Sequence, residues 1–182
     1  MTLVELLDQA REGDQLAWDA IVERFSGLLW ATARAHRLSS VQAADVIQNT
    51  WLRLVENLDR IQDPERLGAW LATTARRECL RAIRLRAREL PTDEEWMWDV
   101  PSDDEIDSGL IARERDTALW RAFRVIGERC QALLRMIAAP DPPSYEEIGA
   151  ALGMPIGAIG PTRARCLDKL RSTLALEGAD LR

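Results

Sequence analysis

The sequence has little of what metal centres and disulfide-stapled folds are built from. Its 182 residues include one histidine, His36, and three cysteines, Cys79, Cys130 and Cys166, none of them in a CxxC pair. One imidazole excludes a multi-histidine metal site. An odd number of widely spaced cysteines favours buried free thiols over disulfides or a zinc site. We therefore expect neither a metal nor a cofactor.

Long apolar runs and the common catalytic motifs are also missing. No apolar run reaches the roughly 18 residues of a membrane span, and no basic leader precedes an apolar one, so we expect a soluble, cytoplasmic protein. There is no phosphate loop, nucleophile elbow or HExxH motif. The acidic clusters 93–95 and 103–107 lie in a proline-interrupted stretch, which makes a metal-dependent nuclease the remotest hypothesis. We expect no enzymatic activity.

Apolar residues recur at helical spacing through most of the chain, and no convincing strand pattern occurs. This pattern predicts an all-α fold. Helices are predicted over residues 3–12, 15–36, 41–58 and 67–88, with two more between Leu110 and Ala138. Residues 59–66, which contain Asp63-Pro64, are predicted to form a loop.

The stretch from Ser144 to Arg171 has the pattern of a helix-turn-helix. Ser144 and Glu147 have the spacing of a capping box, and Gly153 suits the left-handed end of a first helix. The second helix of such a motif enters the major groove of DNA, although an ordinary helical hairpin is the alternative. Because Pro161 lacks a backbone N–H, we expect the regular helix to be best formed after it.

Charge is strongly segregated along a chain whose formal net charge is −6. Seven arginines and one acid, Glu78, lie between positions 66 and 88, whereas nine acids and no base lie between 89 and 107. Arginines 77, 81, 84 and 88 share one helical face and predict binding of an external anion, either nucleic acid or the acidic stretch itself. The acidic stretch, interrupted by prolines, predicts a flexible linker.

Two small helical domains are therefore predicted, over residues 1–88 and 115–175, joined by an acidic linker over 89–114. Trp96, Met97 and Trp98 within the linker fit either docking on a partner or folding back on the chain's own helices. The helix over 41–58 carries polar residues beside Leu52 and Val55, a mixture that suits a protein-docking surface or an ordinary exposed face.

Four short motifs together resemble a known family. They are Gly13-Asp14-x-x-Ala17-Trp18, Asp45-Val46-Ile47-Gln48 followed by Trp51, Ala69-Trp70-Leu71, and Tyr145-Glu146-Glu147-Ile148-Gly149. In this order, with an acidic linker between them, they resemble the extracytoplasmic-function (ECF) group of bacterial RNA polymerase sigma factors. The resemblance covers nearly the whole chain and implies promoter-specific transcription initiation.

The resemblance also implies a role for each region. The first domain would bind the clamp helices of the polymerase β′ subunit, through Asp45, Gln48, Asn49, Leu52 and Arg53. It would open DNA at the −10 element, through Gln62, Asp63, Arg66, Arg76, Arg77, Arg81 and Arg84. The second domain would dock on the β flap and read the −35 element, through Thr162, Arg163, Arg165 and Lys169. An anti-sigma factor is a further implied partner.

One departure from the family pattern affects the −10 residues. Many relatives carry Asn and, four residues later, Asp where this chain has Arg77 and Arg81, so a different base preference is expected. The competing hypothesis is a stand-alone helix-turn-helix regulator, which would need neither the acidic linker nor the docking helix.

Overall fold

A computed structural model describes residues 1–89 and 110–176, which form helices and turns and no strand. The eight α-helices are α1 Leu3–Arg11, α2 Gln15–Ala35, α3 Ser40–Asn57, α4 Leu67–Glu89, α5 Leu110–Val125, α6 Glu128–Ile137, α7 Tyr145–Leu152 and α8 Ile156–Leu176. Short 3-10 turns, Leu58–Arg60 and Pro64–Arg66, form the loop between α3 and α4. The all-α prediction is confirmed. None of the helices in the described ranges is both long and apolar enough to cross a bilayer.

The caps predicted from the sequence begin and end these helices. Asp14 Oδ1 accepts the N–H groups of Leu16 and Ala17 at 2.8 and 3.1 Å. Ser144 Oγ accepts the N–H of Glu147 at 3.2 Å, and Glu147 Oε2 accepts the N–H of Ser144 at 2.7 Å. These bonds satisfy N–H groups that have no partner within a helix. At the other end of α7, Gly153 has a φ of +64°, as the turn prediction required.

Pro161 does not delay the start of α8, and the expectation that the regular helix would be best formed only after Pro161 is wrong. Helix α8 runs without interruption from Ile156 to Leu176, with Pro161 inside its second turn. A proline costs one helical hydrogen bond, here to the carbonyl of Gly157, and crowds that carbonyl. Gly157 is exposed, so water can solvate the carbonyl, and the 15 residues after Pro161 are enough to hold the helix.

The prediction of three free thiols holds only for Cys79. Cys130 of α6 and Cys166 of α8 form a disulfide, and their Cα atoms are 5.3 Å apart. The sequence could not indicate this pair because the two cysteines are 36 positions apart and only tertiary packing brings α6 and α8 together. Cys79 is free and buried.

The largest apolar cluster joins the two halves of the chain. Buried residues of the first half include Leu7, Ile21, Leu29, Leu54, Leu67 and Leu71, and those of the second half include Leu133, Met136, Ile148 and Ile159. Helix α4 packs against α7, and α2 packs against α6. Helices α1 to α4 therefore contact α6 and α7, either directly or through one neighbouring helix.

Two smaller clusters complete the packing. One holds Phe123, Ile126, Cys130, Leu134 and Cys166 and fixes α8 on α5 and α6. The other holds Ala33, Ala43, Val46 and Cys79, between α2, α3 and α4. Most of the predicted linker, including Trp96, Met97 and Trp98, lies outside the described residues, whereas its last positions, 110–114, belong to α5. The division into two domains stays a prediction.

Candidate functional site

Helix α3 presents a mixed polar and apolar face to solvent. Its predicted docking residues are all exposed; they are Asp45, Gln48, Asn49, Leu52 and Arg53. Leu52 is 56% exposed, and Val55 beside it is 55% exposed. Val46 and Leu54 on the opposite side are buried in the core, so this face is held rigidly outward. A rigid surface with exposed leucine and valine among short polar groups is suited to binding another protein.

Glu78 of α4 connects this face to the arginine face of α4, which is formed by Arg77, Arg81, Arg84 and Arg88. Its carboxylate lies 3.8 Å from Arg53 Nε and 3.7 Å from Arg81 Nη1. Its side chain is only 13% exposed, so the two guanidinium groups share one sheltered carboxylate. The sequence identified Glu78 only as the single acid among the arginines, because its proximity to Arg53 depends on how α3 packs on α4.

Four arginines of α4 form an exposed row, whereas Arg76 and Arg86 are partly buried. Arg77, Arg81, Arg84 and Arg88 are exposed. Arg84 Nε donates a hydrogen bond to the carbonyl of Leu80 at 3.0 Å, which keeps this side chain along the helix. The row can neutralise successive phosphates of a nucleic-acid strand. Arg76 differs, because it is half-buried and turned toward α7.

The loop before α4 holds the remaining predicted −10 residues. Gln62 and Asp63 are exposed, and Asp63 Oδ1 accepts the N–H of Glu65 at 3.2 Å. Arg66 Nε lies 3.5 Å from Asp63 Oδ2. Arg11 of α1, which the sequence did not identify, donates to the Ile61 carbonyl at 2.7 Å and to the Leu58 carbonyl at 3.3 Å. It therefore fixes the loop from the other side.

Helix α8 exposes three of its four predicted DNA-contacting residues, although the four do not share one face. Arg163, Arg165 and Lys169 are exposed, and Thr162 is partly buried. Arg165 Nη2 donates to Thr162 Oγ1 at 3.2 Å. Ile159 and Cys166 face the core, and by helical spacing Thr162 and Arg163 border this buried stripe, whereas Arg165 and Lys169 lie away from it. The helix can therefore offer three cations to DNA while its apolar side remains packed.

Two of the predicted −10 residues contact the helix-turn-helix. The guanidinium of Arg76 lies over Gly153, where a Cβ atom would come within 2.6 Å of Arg76 Nη2. Arg66 Nε is 4.0 Å from Glu146 Oε1. Because the turn at Gly153 covers Arg76, this arginine is not fully open to DNA in the packed arrangement.

Polar contacts surround the same junction at the end of α2. His36 Nε2 donates to the carbonyl of Ala151 at 3.0 Å, an assignment that follows from the acceptor being a carbonyl. Arg37 pairs with Glu128 of α6. A cavity of about 660 Å³ opens beside these groups, and Ile83, Arg129 and Leu152 also line it. The apolar core between the two halves thus has a polar, partly open margin.

Residues 21–89 match the family model described as Sigma-70 region 2. The chain is similar to the ECF RNA polymerase sigma factor SigE of Mycolicibacterium smegmatis, with 29% identity over 178 residues, covering 92% of this chain and 66% of SigE. It is also similar to the ECF RNA polymerase sigma factor EcfG of Rhodopseudomonas palustris, with 29% identity over 140 residues, covering 76% of this chain and 75% of EcfG. The chain therefore spans about two thirds of the length of SigE.

Two solved structures share the fold. CnrH, in complex with the cytosolic domain of CnrY, gives a TM-score of 0.60 at 22% identity, covering 94% of this chain and 96% of CnrH. The sigma factor RpoE of Bartonella quintana, in complex with the anti-sigma factor NepR, gives 0.57 at 23% identity, covering 86% of this chain and 97% of RpoE. The Sigma-70 region 2 match contains α3, the loop and α4, whereas α8 lies beyond it.

His36 is the one histidine of the chain, and its surroundings favour the neutral imidazole. Burial lowers its pKa from the ordinary value of 6.5, and the nearby positive charge of Arg76 lowers it further, while the hydrogen bond to Ala151 acts in the opposite direction. The unfolded chain therefore binds a proton more readily than the folded one. The stabilising contribution of His36 is complete above pH 6.5 and is lost as the pH falls from there through the lowered folded pKa.

We expect His36→Gln to remove this pH dependence, because glutamine keeps an N–H donor for Ala151 and does not titrate. Urea unfolding of both proteins at several pH values from 7.5 to 5.0 measures it. The free energy of unfolding of the unmodified chain should fall more steeply below about pH 6.5 than that of the variant. Carboxylate titration is common to both proteins and cancels in the difference. If the free energy of unfolding falls equally with pH in both proteins, His36 is not the source of this pH dependence.

Proposed function

Because the chain belongs to the extracytoplasmic-function group of RNA polymerase sigma factors, we propose that it directs core RNA polymerase to promoters and promotes opening of the DNA there. One observation carries the proposal. The residues that match Sigma-70 region 2 contain both an exposed docking face, on α3, and an exposed arginine face, on α4. One domain can therefore hold a protein partner and a nucleic-acid strand at once.

The docking face on α3 is proposed to bind the clamp helices of the β′ subunit. The residues assigned to this contact are Asp45, Gln48, Asn49, Leu52 and Arg53. Leu52 supplies apolar area at the centre of the face, and its polar neighbours supply directional hydrogen bonds around it. The carboxylates of Glu56, at 3.0 Å, and Glu78, at 3.8 Å, support the proposal because together they hold Arg53 at the edge of the face.

The arginine face and the loop before α4 are proposed to hold the opened −10 element. The residues assigned to it are Gln62, Asp63, Arg66, Arg76, Arg77, Arg81 and Arg84. A row of guanidinium groups attracts the strand backbone, and such groups also stack on unpaired bases. Capture of unstacked bases favours strand separation by binding only the open form.

Helix α8 is proposed to read the −35 element in the major groove. Arg163, Arg165 and Lys169 carry the charge for this contact, and Thr162 lies beside them. An arginine can bind a guanine edge with two hydrogen bonds, which distinguishes one base pair from another. The segment over 115–175 would also dock on the β flap, and the acidic linker over 89–114 would follow a basic channel of the polymerase toward the RNA exit path.

Reading both elements at once requires the packed halves to separate. The −35 and −10 elements are about 25 base pairs apart, which is roughly 85 Å of duplex at 3.4 Å per base pair. Helices α4 and α7 are in direct contact, so the DNA-binding faces of α4 and α8 cannot span that distance. We therefore propose that binding to polymerase and promoter breaks the α4–α7 contact and uncovers Arg76.

The remaining parts of the proposal follow from membership of this group. The chain has no catalytic activity of its own, acts in the cytoplasm with RNA polymerase, and is regulated by an anti-sigma factor. Support for the last point comes from RpoE, whose solved complex contains the anti-sigma factor NepR. A stand-alone helix-turn-helix regulator is the competing function, and it would bind DNA without core polymerase.

We predict that the double variant Gln48→Ala, Leu52→Ala weakens binding to core RNA polymerase by about 1–3 kcal/mol, because it removes the centre of the docking face. A fluorescence titration of labelled protein with core enzyme measures the affinity. Leu16→Ala is the matched control, since Leu16 of α2 is 77% exposed and belongs to no proposed surface. Unchanged affinity in the double variant, or an equal loss in the control, would contradict the docking face. A chain that does not bind core enzyme at all would favour the stand-alone regulator.

Arg165→Ala should weaken promoter binding by the holoenzyme by about 1–3 kcal/mol if Arg165 reads a base of the −35 element. The promoter is first identified by sequencing transcripts that reconstituted holoenzyme makes on genomic DNA. Competition binding with −35 variants then measures affinity and base preference. Arg121→Ala, at an exposed arginine of α5, makes the same charge change on a different helix. If both variants bind alike, α8 is not the reading helix.

A further inference from the structure

The disulfide between Cys130 and Cys166 lies between the two helices that determine where α8 sits. Cys130 is in the first turn of α6, and Cys166 is on the buried side of α8, next to Arg165 in sequence. The 5.3 Å between their Cα atoms is within the range in which a disulfide forms without backbone movement. The same backbone can therefore accommodate the two thiols or the bond.

The bond encloses the first helix and the turn of the helix-turn-helix motif. The 35 residues between the two cysteines include α7, its turn and the first half of α8. The cluster that fixes α8 on α5 and α6 is small, with Phe123, Ile126 and Leu134 as its other buried members, whereas Ile159 near the start of α8 packs in the large shared core. A covalent link in so small a core constrains α8 more than it would in the large shared core, which has many other contacts.

The two sulfur atoms differ in how an oxidant can reach them. Both residues are buried, but Cys130 is 8% exposed and Cys166 is 1% exposed, so Cys130 lies nearer to solvent. Cys130 lies within the first turn of α6, where the helix dipole favours a thiolate, and Arg129 precedes it. The acidic neighbour Glu128 is paired with Arg37. The cysteine nearer to solvent is therefore also the one at a helix N-terminus.

Cys79 provides the contrast within the same chain. It is fully buried among Ala33, Ala43 and Val46, and burial raises its pKa to about 12. A thiol that stays protonated and out of contact with solvent reacts slowly with oxidants. Of the three cysteines, only the α6–α8 pair is placed for redox chemistry.

We infer that Cys130 and Cys166 form a reversible redox site whose oxidation by a hydroperoxide locks α8 onto α6. The Cys130 thiolate attacks the peroxide oxygen, takes up a hydroxyl group as sulfenic acid and releases water after one protonation. The Cys166 thiol then displaces that hydroxyl as a second water, and the S–S bond forms. In total two thiols and one hydrogen peroxide give one disulfide and two waters, and a dithiol reverses the step.

Such a site fits the compartment in which transcription takes place. Thiols there are kept reduced, and disulfides that form are usually transient and redox-sensing. The link to transcription depends on the proposed function, in which α8 reads the −35 element. The redox site itself does not depend on it.

The chemistry is tested on the full chain, first reduced with a dithiol and then treated with one equivalent of hydrogen peroxide. Alkylation followed by peptide mass spectrometry should find Cys130 linked to Cys166, with Cys79 alkylated only after denaturation. Cys79→Ser should give the same cross-link. No cross-link, or links between separate chains, would overturn the inference.

The coupling to α8 is tested by amide hydrogen exchange and by thermal melting of the oxidised and reduced forms. Reduction should speed exchange in residues 162–170 and lower the melting temperature by roughly 5–10 °C. Cys130→Ser and Cys166→Ser should not respond to dithiol, whereas Cys79→Ser should respond like the unmodified chain. Equal exchange in both redox forms would contradict the locking of α8. If reduction changes amide exchange in α8 but leaves promoter binding by the holoenzyme unchanged, the redox site stands and the assignment of α8 to the −35 element is wrong.

Discussion

The apolar contact between α4 and α7 is the interaction on which the rest of the structure depends. Ile148 and Ala151 of α7 are buried against Leu67, Leu71 and their neighbours in one core. Burial of apolar area stabilises a contact by about 25 cal/mol per Å², and this junction shares one continuous core with both halves. The helix-turn-helix is consequently held against the helix that carries the arginine face, and its turn covers Arg76.

The margin of this contact is built differently from its centre. A hydrogen bond at His36, the ion pair of Arg37 with Glu128 and the long contact of Arg66 with Glu146 are all partly exposed, and water can replace such contacts at small cost. A partner that supplies apolar contacts to both halves can therefore exchange one set of interactions for another. Polymerase and a promoter that places its two recognition elements roughly 85 Å apart would draw the same helices in opposite directions.

Much of the fold could be predicted from local pattern because its signals are local. The caps at Asp14 and Ser144, the left-handed Gly153 and the exposed arginine row each depend on residues a few positions apart. What could not be predicted depends on tertiary packing. The sequence does not indicate that Cys130 meets Cys166, that Glu78 lies between Arg53 and Arg81, or that Arg11 holds the loop before α4. The expectation for Pro161 fails for a related reason, since Ile159 and Cys166 on either side of it are buried in the core and hold α8 continuous.

The central claim is that the packed chain opens when it acts on a promoter. Resonance energy transfer between dyes on Glu23 of α2 and Ser172 of α8, two exposed positions outside the proposed contacts, tests it most directly. Transfer should be efficient in the free protein, where α2 and α8 belong to one packed body, and should be largely lost in the holoenzyme bound to promoter DNA. Equal transfer in the two states would contradict the account, because the halves would then have stayed together while the promoter was bound.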